Sequence, residues 1–157
     1  MSRRIAIVGS RSFCNPDYTD PVRAQMEQDW MFYRLDKYFR LDQMTEANWM
    51  AGEDPLNHAA ILSGGAVGVD RRAQEYAGLN DIPFFLYKPF HLVDTKQEYE
   101  PRFFFIRNKQ IVDNADEMVA FWDGESHGTE DAIRFARKKG KPVTVIEPDE
   151  REILDFA

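Results

Sequence analysis

The sequence predicts a doubly wound α/β sandwich: three layers, with five parallel strands in the order 3-2-1-4-5 between two layers of helices. Three observations predict it. Short apolar runs alternate with amphipathic stretches along the chain. Three of those runs end in a turn rich in Gly, Ser or Thr. The stretch from Glu117 to Ile146 reads as a complete strand–helix–strand unit, and such units usually build a parallel sheet. The chain has 157 residues, 43% apolar and 30% charged, enough for one globular domain over 1–157 with a real core.

The first strand is Arg4 to Val8, a β-branched run ended by Gly9 and placed at the sheet centre. Gly9-Ser10-Arg11-Ser12-Phe13 follows. This is not GxGxxG, so the dinucleotide fingerprint is absent. Arg11 either reaches a phosphate or is a solvated loop arginine. From Pro21 to about Leu41, Val22, Met26, Trp30 and Tyr33 recur at helical spacing, with Phe32, Leu35 and Phe39 on an adjacent stripe. Core packing explains that stripe better than a ligand box. The polar stretch at about 42–58 reads as an insertion or long loop, with Trp49 and Met50 expected to anchor it.

Ala59 to Leu62 is the second strand. Ser63-Gly64-Gly65-Ala66-Val67-Gly68-Val69-Asp70 leads from it into a helix through about Leu79. Three glycines in five positions let backbone approach a ligand closely. No acid precedes Asp70 in this turn, so its amides and the helix dipole are expected to be free for an anion. This is the best phosphate site in the sequence. Asp70 either accepts from a ribose or holds the glycine loop, and the second role is slightly favoured. Arg71 and Arg72, as helix residues, more often face solvent.

Ile82 to Tyr87 is the third strand. Lys88 to Pro101, with His91 and Tyr99, has the length of a lid or binding loop. Arg102 to about Asp113 is a helix, with Phe103, Ile106 and Val112 on the core face and Arg107 and Asn108 pointing elsewhere. Glu117 to Trp122 is the fourth strand, broken by Asp123-Gly124. Ser126 or His127 then leads, through Gly128-Thr129, into a helix with Ala132, Ile133 and Ala136 on its apolar side. Gly140 stops it behind Arg137, Lys138 and Lys139, which suit its negative end. Val143 to Ile146 is the fifth strand, and Glu150 to Phe156 a helical tail.

The turns at Gly9, Ser63–Gly68 and Asp123–Thr129 each follow a strand, so all three fall on the carboxyl edge of the sheet, where such folds bind ligands. Candidate binding residues are Gly9, Ser10 and Arg11 in the first turn. In the second they are Ser63, Gly64, Gly65, Ala66, Gly68 and Asp70. Gly124, Ser126, Gly128 and Thr129 come from the third, and Arg107 with Asn108 from the helix between. Arg11 and Arg107 supply the positive charge.

Other classes are argued against. A net charge of −7 speaks against a dominant nucleic-acid surface. Cys14, the single cysteine, cannot form an internal disulfide. No apolar run nears the roughly 20 residues that span a bilayer. The start of the chain lacks a signal peptide's apolar core, and a cytoplasmic location is expected. His58, His91 and His127 have no metal-ligand spacing. Neither a G-x-S-x-G elbow nor a Walker A motif is present.

IVGSRSF, SGGAVGVDRRAQEYA, IRN and VAFWDGESHGT together resemble the SLOG superfamily, above all its small single-domain YspA-like branch. The resemblance spans nearly the whole chain outside Asp42 to Asn57. It implies a Rossmann-like fold and a pocket for a nucleotide or nucleotide-derived ligand, with no further cofactor required and with a homodimer common among relatives. The family's glycine loop maps on Gly64, Gly65 and Gly68, its arginine on Arg107, and its Gly-Thr turn on Gly128-Thr129. Two departures stand out. LOG phosphoribohydrolases place a working glutamate three residues after the Thr position, where this chain has Ala132, which can neither hold an oxocarbenium charge nor take a proton. Val67 stands where YspA-like relatives often carry a basic residue. Glu130 and Arg107 remain weak catalytic candidates. The leading expectation is a nucleotide-binding sensor or sequestering module. An N-glycoside hydrolase acting on nucleotides is the alternative, and a single-stranded-DNA protein like DprA the second alternative.

Overall fold

The computed structural model describes residues 3–88 and 101–157, the side chains of 101 and 102 excepted. Strands β1 (Arg3–Gly9), β2 (Ala59–Ser63), β3 (Phe84–Leu86), β4 (Glu117–Phe121) and β5 (Val143–Ile146) form one sheet in the order β3-β2-β1-β4-β5. Every neighbouring pair is parallel. The expected order is therefore the observed one. β1 sits at the centre because its residues are apolar on both faces. Ile5 and Ile7 enter one core and Ala6 and Val8 the other, following the two-residue period of a strand.

Helices α1 (Pro21–Tyr38), α3 (Val69–Leu79) and α6 (Glu150–Leu154) serve the first core. It is aromatic, with Phe13, Trp30, Phe39, Tyr76 and Phe121 all buried. Asp20 caps α1 by accepting from the Arg23 amide at 2.9 Å, and Pro21 supplies its preset φ at the first position. Helices α4 (Pro101–Asn114) and α5 (His127–Lys138) cover the other face. Ile111, Val112, Ala132, Ile133 and Ala136 pack there under Ala6, Val8, Leu62 and Met118. Small alanines on α5 let that helix lie close to the sheet.

Four expectations are corrected. Val22 is 69% exposed, because the buried face of α1 begins at Ala24 and Met26. Trp49 and Met50 anchor nothing: they are 50% and 81% exposed. The insertion instead folds on itself, as a 3₁₀ turn at Leu41–Gln43 and a short helix α2 (Glu46–Met50) closed by a reciprocal Thr45–Asn48 capping box. Strand β3 is shorter than expected and lies at the sheet edge, which leaves Phe85 and Leu86 partly in solvent. On α4 Phe103 and Val112 are buried as expected, but Ile106 is exposed while Arg107 and Asn108 are buried. The first half of α4 lies over the polar carboxyl edge of the sheet, and only its second half reaches the apolar core. The loop expected over 88–101 lies, from residue 89 to 100, outside the described residues, His91 and Tyr99 with it. Among the described residues no helix is long and apolar enough to cross a membrane.

Candidate functional site

The three turns meet. Beyond β1, the Ser10 amide donates to the Phe121 carbonyl at the end of β4 (3.3 Å), and the Ser10 carbonyl accepts from the Val69 amide at the start of α3 (3.4 Å). The first turn is thus pinned between the other two. Gly68 makes the crossing feasible. Its φ is +84°, and a Cβ there would lie 2.6 Å from the Arg11 carbonyl oxygen and 2.7 Å from that of Ser10.

Arg107 reaches the second turn from α4. Its Nη1 donates to the Gly64 carbonyl (2.9 Å), and its Nε donates to Asn108 Oδ1 (2.9 Å). A Cβ on Gly64 would stand 2.1 Å from that Nη1 and 3.0 Å from Asp70 Oδ2, so the missing side chain is what admits both groups. Burial pulls the Arg107 pKa below its ordinary value; Asp70 counters this and Arg11 adds to it. Burial likewise pushes the Asp70 carboxyl up to about 6, against the opposing pull of Arg107, the Ala66 amide, Ser63 and Arg11.

This corrects the expectation of free amides at the start of α3. Asp70 folds back and accepts from the Ala66 amide (3.3 Å), while the Val69 amide goes to Ser10. Asp70 holds the glycine loop. At the start of α5, by contrast, the first amides have no carbonyl one turn behind them.

The third turn is built on Asp123. Its Oδ1 accepts from the amides of Glu125 (2.8 Å) and Ser126 (3.0 Å). Burial works to raise this carboxyl, but the Glu125 and Ser126 amides act against it and the carboxyl is held below the usual range. Trp122 Nε1 donates to the Ser126 carbonyl (3.0 Å), and Ser126 Oγ and Thr129 Oγ1 lie 3.1 Å apart. Asn108 Nδ2 donates to the Gly128 carbonyl at 3.5 Å, which ties α4 to α5 across the site.

Between these turns lies a cleft of about 490 Å³. Gly9, Ser10, Arg11, Gly64, Ala66, Asp70, Arg107, Asn108, Ser126, Gly128 and Thr129 line it. Ser63 lies beneath, its hydroxyl donating to the Ile7 carbonyl at 2.7 Å. Gly65, Gly68 and Gly124 shape the turns without lining the cleft. Glu130 is also outside the lining, paired with Arg134 at 2.7 Å. Ala132 does face the cleft, and is 2% exposed. Ser12, Tyr18, Phe104, Asp123 and Glu125 line it and escaped the sequence-based choice. Asp123 and Glu125 stood inside a turn already singled out. Tyr18 and Phe104 depend on how the chain passes over the edge, which no periodicity reports.

Two details give the cleft its chemistry. The guanidinium carbons of Arg11 and Arg107 lie over the Phe104 ring, at 5.4 and 5.5 Å from its centroid. Among the described residues neither arginine has an ion pair within 4.0 Å. Among the described residues the Ser10 hydroxyl, in a residue only 3% exposed, has no hydrogen-bond partner. No group of three or more metal-ligating side chains occurs among the described residues.

No protein-family model matches the chain, and no curated protein matches it. Its fold has solved relatives. DNA processing protein A from Helicobacter pylori, described for its single-stranded DNA binding mode, is 20% identical with a TM-score of 0.59; the match covers 98% of this chain and 72% of that one. DNA processing protein A (DprA) from Streptococcus pneumoniae is 15% identical with a TM-score of 0.60, over 99% of this chain. The chain spans about half of that protein, 54% of its length. The structural-genomics protein TM1055 is 17% identical with a TM-score of 0.54, over 96% of this chain and 88% of that one. Likeness at these identities is one of fold. The sandwich is Rossmann-like and is shared with the DprA structures.

Proposed function

We propose that this protein binds a nucleotide or nucleotide derivative at the carboxyl edge of its sheet, as a sensor or sequestering module. One observation carries the reading: two guanidinium groups without ion partners among the described residues, Arg11 and Arg107, share a concave site with the start of α5. Arg107 is buried and Arg11 is exposed at the mouth of the cleft; cations without a carboxylate partner favour an anion, and guanidinium groups match phosphate geometry. The SLOG resemblance of the glycine loop and the Gly-Thr turn points the same way.

The binding reading is preferred to a glycosidase. Cleaving an N-glycosidic bond builds positive charge on the sugar, and a carboxylate must face it. Ala132 occupies the position expected for that group, and Glu130 lies outside the cleft. Contacts through Arg11, Arg107 and Thr129 hold substrate and transition state about equally, which yields affinity without much rate. The DprA neighbours favour a second reading, in which the same cations hold the phosphates of single-stranded DNA. The net charge of −7 weighs against it.

Titration calorimetry with ribonucleoside and deoxyribonucleoside monophosphates and a dT oligonucleotide separates the readings, followed by chromatography for released base. Binding of a mononucleotide without base release is the expected result. Tight binding of the oligonucleotide alone would favour the DNA reading. Base release lost in Asp123→Asn or Glu125→Gln would favour the enzyme.

A further inference from the structure

The cleft has two chemically different ends. At the β2 side stand the cations, with Arg107 against Gly64 and Arg11 over the same Phe104 ring. At the β4 side stands Asp123, with Ser10 next to it at the end of β1, its amide on the Phe121 carbonyl of β4. Strand β1 separates β2 from β4, so the turns that carry Gly64 and Asp123 are two interstrand spacings apart, about 10 Å. A phosphate joined to a pentose, with a hydrogen bond at each end, is of that scale.

The β4 end is built for hydroxyl groups. The Ser10 hydroxyl is buried and, among the described residues, unpartnered, and a buried polar group left so costs stability unless something completes it. Its backbone is fixed on both sides, by Phe121 and by Val69, which holds the residue at the edge of the cleft. Asp123 is held as a carboxylate by the Glu125 and Ser126 amides, both on Oδ1, which leaves Oδ2 as its remaining acceptor. A carboxylate repels phosphate but accepts from alcohols. One acceptor-only group beside one hydroxyl that both donates and accepts matches two adjacent alcohols.

We propose that Ser10 and Asp123 form a subsite for a vicinal diol, so that the cleft selects ribonucleotides over 2′-deoxyribonucleotides. The inference rests on the nucleotide reading above and sharpens it. One ribose hydroxyl donates to Asp123 Oδ2, and the other pairs with Ser10 Oγ. The phosphate lies at the other end, by Arg11 and Arg107. The ligand class is then a ribose phosphate with its 2′ and 3′ hydroxyls free, and DNA is a poor fit.

The test is calorimetry of the full chain with the four 5′-ribonucleoside monophosphates and their 2′-deoxy counterparts. Wild-type protein should bind the best ribonucleotide at least about tenfold tighter than its deoxy form, the loss expected for one hydrogen bond to a charged group. Ser10→Ala and Asp123→Asn should each bring that ratio close to one. Asn at 123 keeps an oxygen for the turn amides, and Ser10→Ala leaves the fold unburdened, so the two variants check each other. Arg107→Ala should weaken both sugars by a similar factor and leave the ratio standing. A wild-type ratio near one, or a ratio that survives both Ser10→Ala and Asp123→Asn, overturns the diol subsite while the nucleotide reading stands. Failure of every mononucleotide to bind overturns the nucleotide reading itself.

Discussion

Both ends of the sheet hold an arginine and an acid, and the two pairs behave oppositely. At the amino end, Arg3 grips Glu117 with two parallel hydrogen bonds, Nε to Oε2 at 3.0 Å and Nη2 to Oε1 at 2.6 Å, and the Tyr38 hydroxyl donates to the same carboxylate. That hydrogen bonding raises the Arg3 pKa and, outweighing burial, lowers that of Glu117: each charge stabilises the other. At the carboxyl end, Arg107 and Asp70 flank Gly64 without closing a direct ion pair, and burial pushes each toward its neutral form. A closed pair fastens β1 to β4. An open pair stores unmet charge in a cleft. The difference marks which end of the sheet is scaffold and which is site.

The sharpest way to break this comparison is Arg107→Ala. It should weaken nucleotide binding by roughly 1.5–3 kcal/mol, the loss of a charge-assisted hydrogen bond, with the fold intact by circular dichroism. Unchanged affinity would remove Arg107 from the site.

Asp70→Asn probes the acid of the open pair. The Asp70 carboxyl titrates near 6 in the folded chain and near 4 when unfolded, so the native state keeps a proton that the unfolded state has lost between those values. Stability from this group therefore falls as pH rises from 4 to 6, and above that window the charge is a standing cost. Denaturant unfolding should find Asp70→Asn more stable than wild type at pH 8, by on the order of 2 kcal/mol, with the gap closing toward pH 4. A constant gap across that range would show that the carboxyl titrates normally.

Gly64→Ala should act through Arg107. The new methyl group takes the place of Nη1, the guanidinium end shifts, and binding weakens by about 1–2 kcal/mol with a small change in melting temperature. The smallest effect belongs to the closed pair. Arg3→Ala should cost about 1 kcal/mol of stability, given its partly exposed side chain, and leave nucleotide affinity alone. A loss of affinity in Arg3→Ala would show that the two ends are coupled and that the division between them is wrong.

Sequence reasoning reached the fold because its evidence is local. Apolar runs such as Ile5–Val8 and Met118–Phe121, and the stops behind them, specify strands without knowledge of neighbours. It placed three turns on one edge by topology alone. It misread α4, because Ile106 looks like core and Arg107 like surface unless one knows that this half of the helix overhangs a polar edge. It took the glycine loop for an open amide nest, because nothing in the string of letters shows Asp70 bending back to Ala66. Contacts made across elements, such as Phe104 beneath two arginines, leave no periodic trace.

The lock on Ser10 has a consequence in time. Its amide and carbonyl reach β4 and α3, elements that lie far apart along the chain, so the cleft exists only after the central strands have assembled. Contacts of such long sequence separation form late. A ligand that needs the finished cleft gives a folding chain no early foothold. It should leave the refolding rate nearly untouched and slow unfolding instead, so that saturation with ligand lengthens the lifetime of the folded protein and the protection of the Ser10 amide against hydrogen exchange.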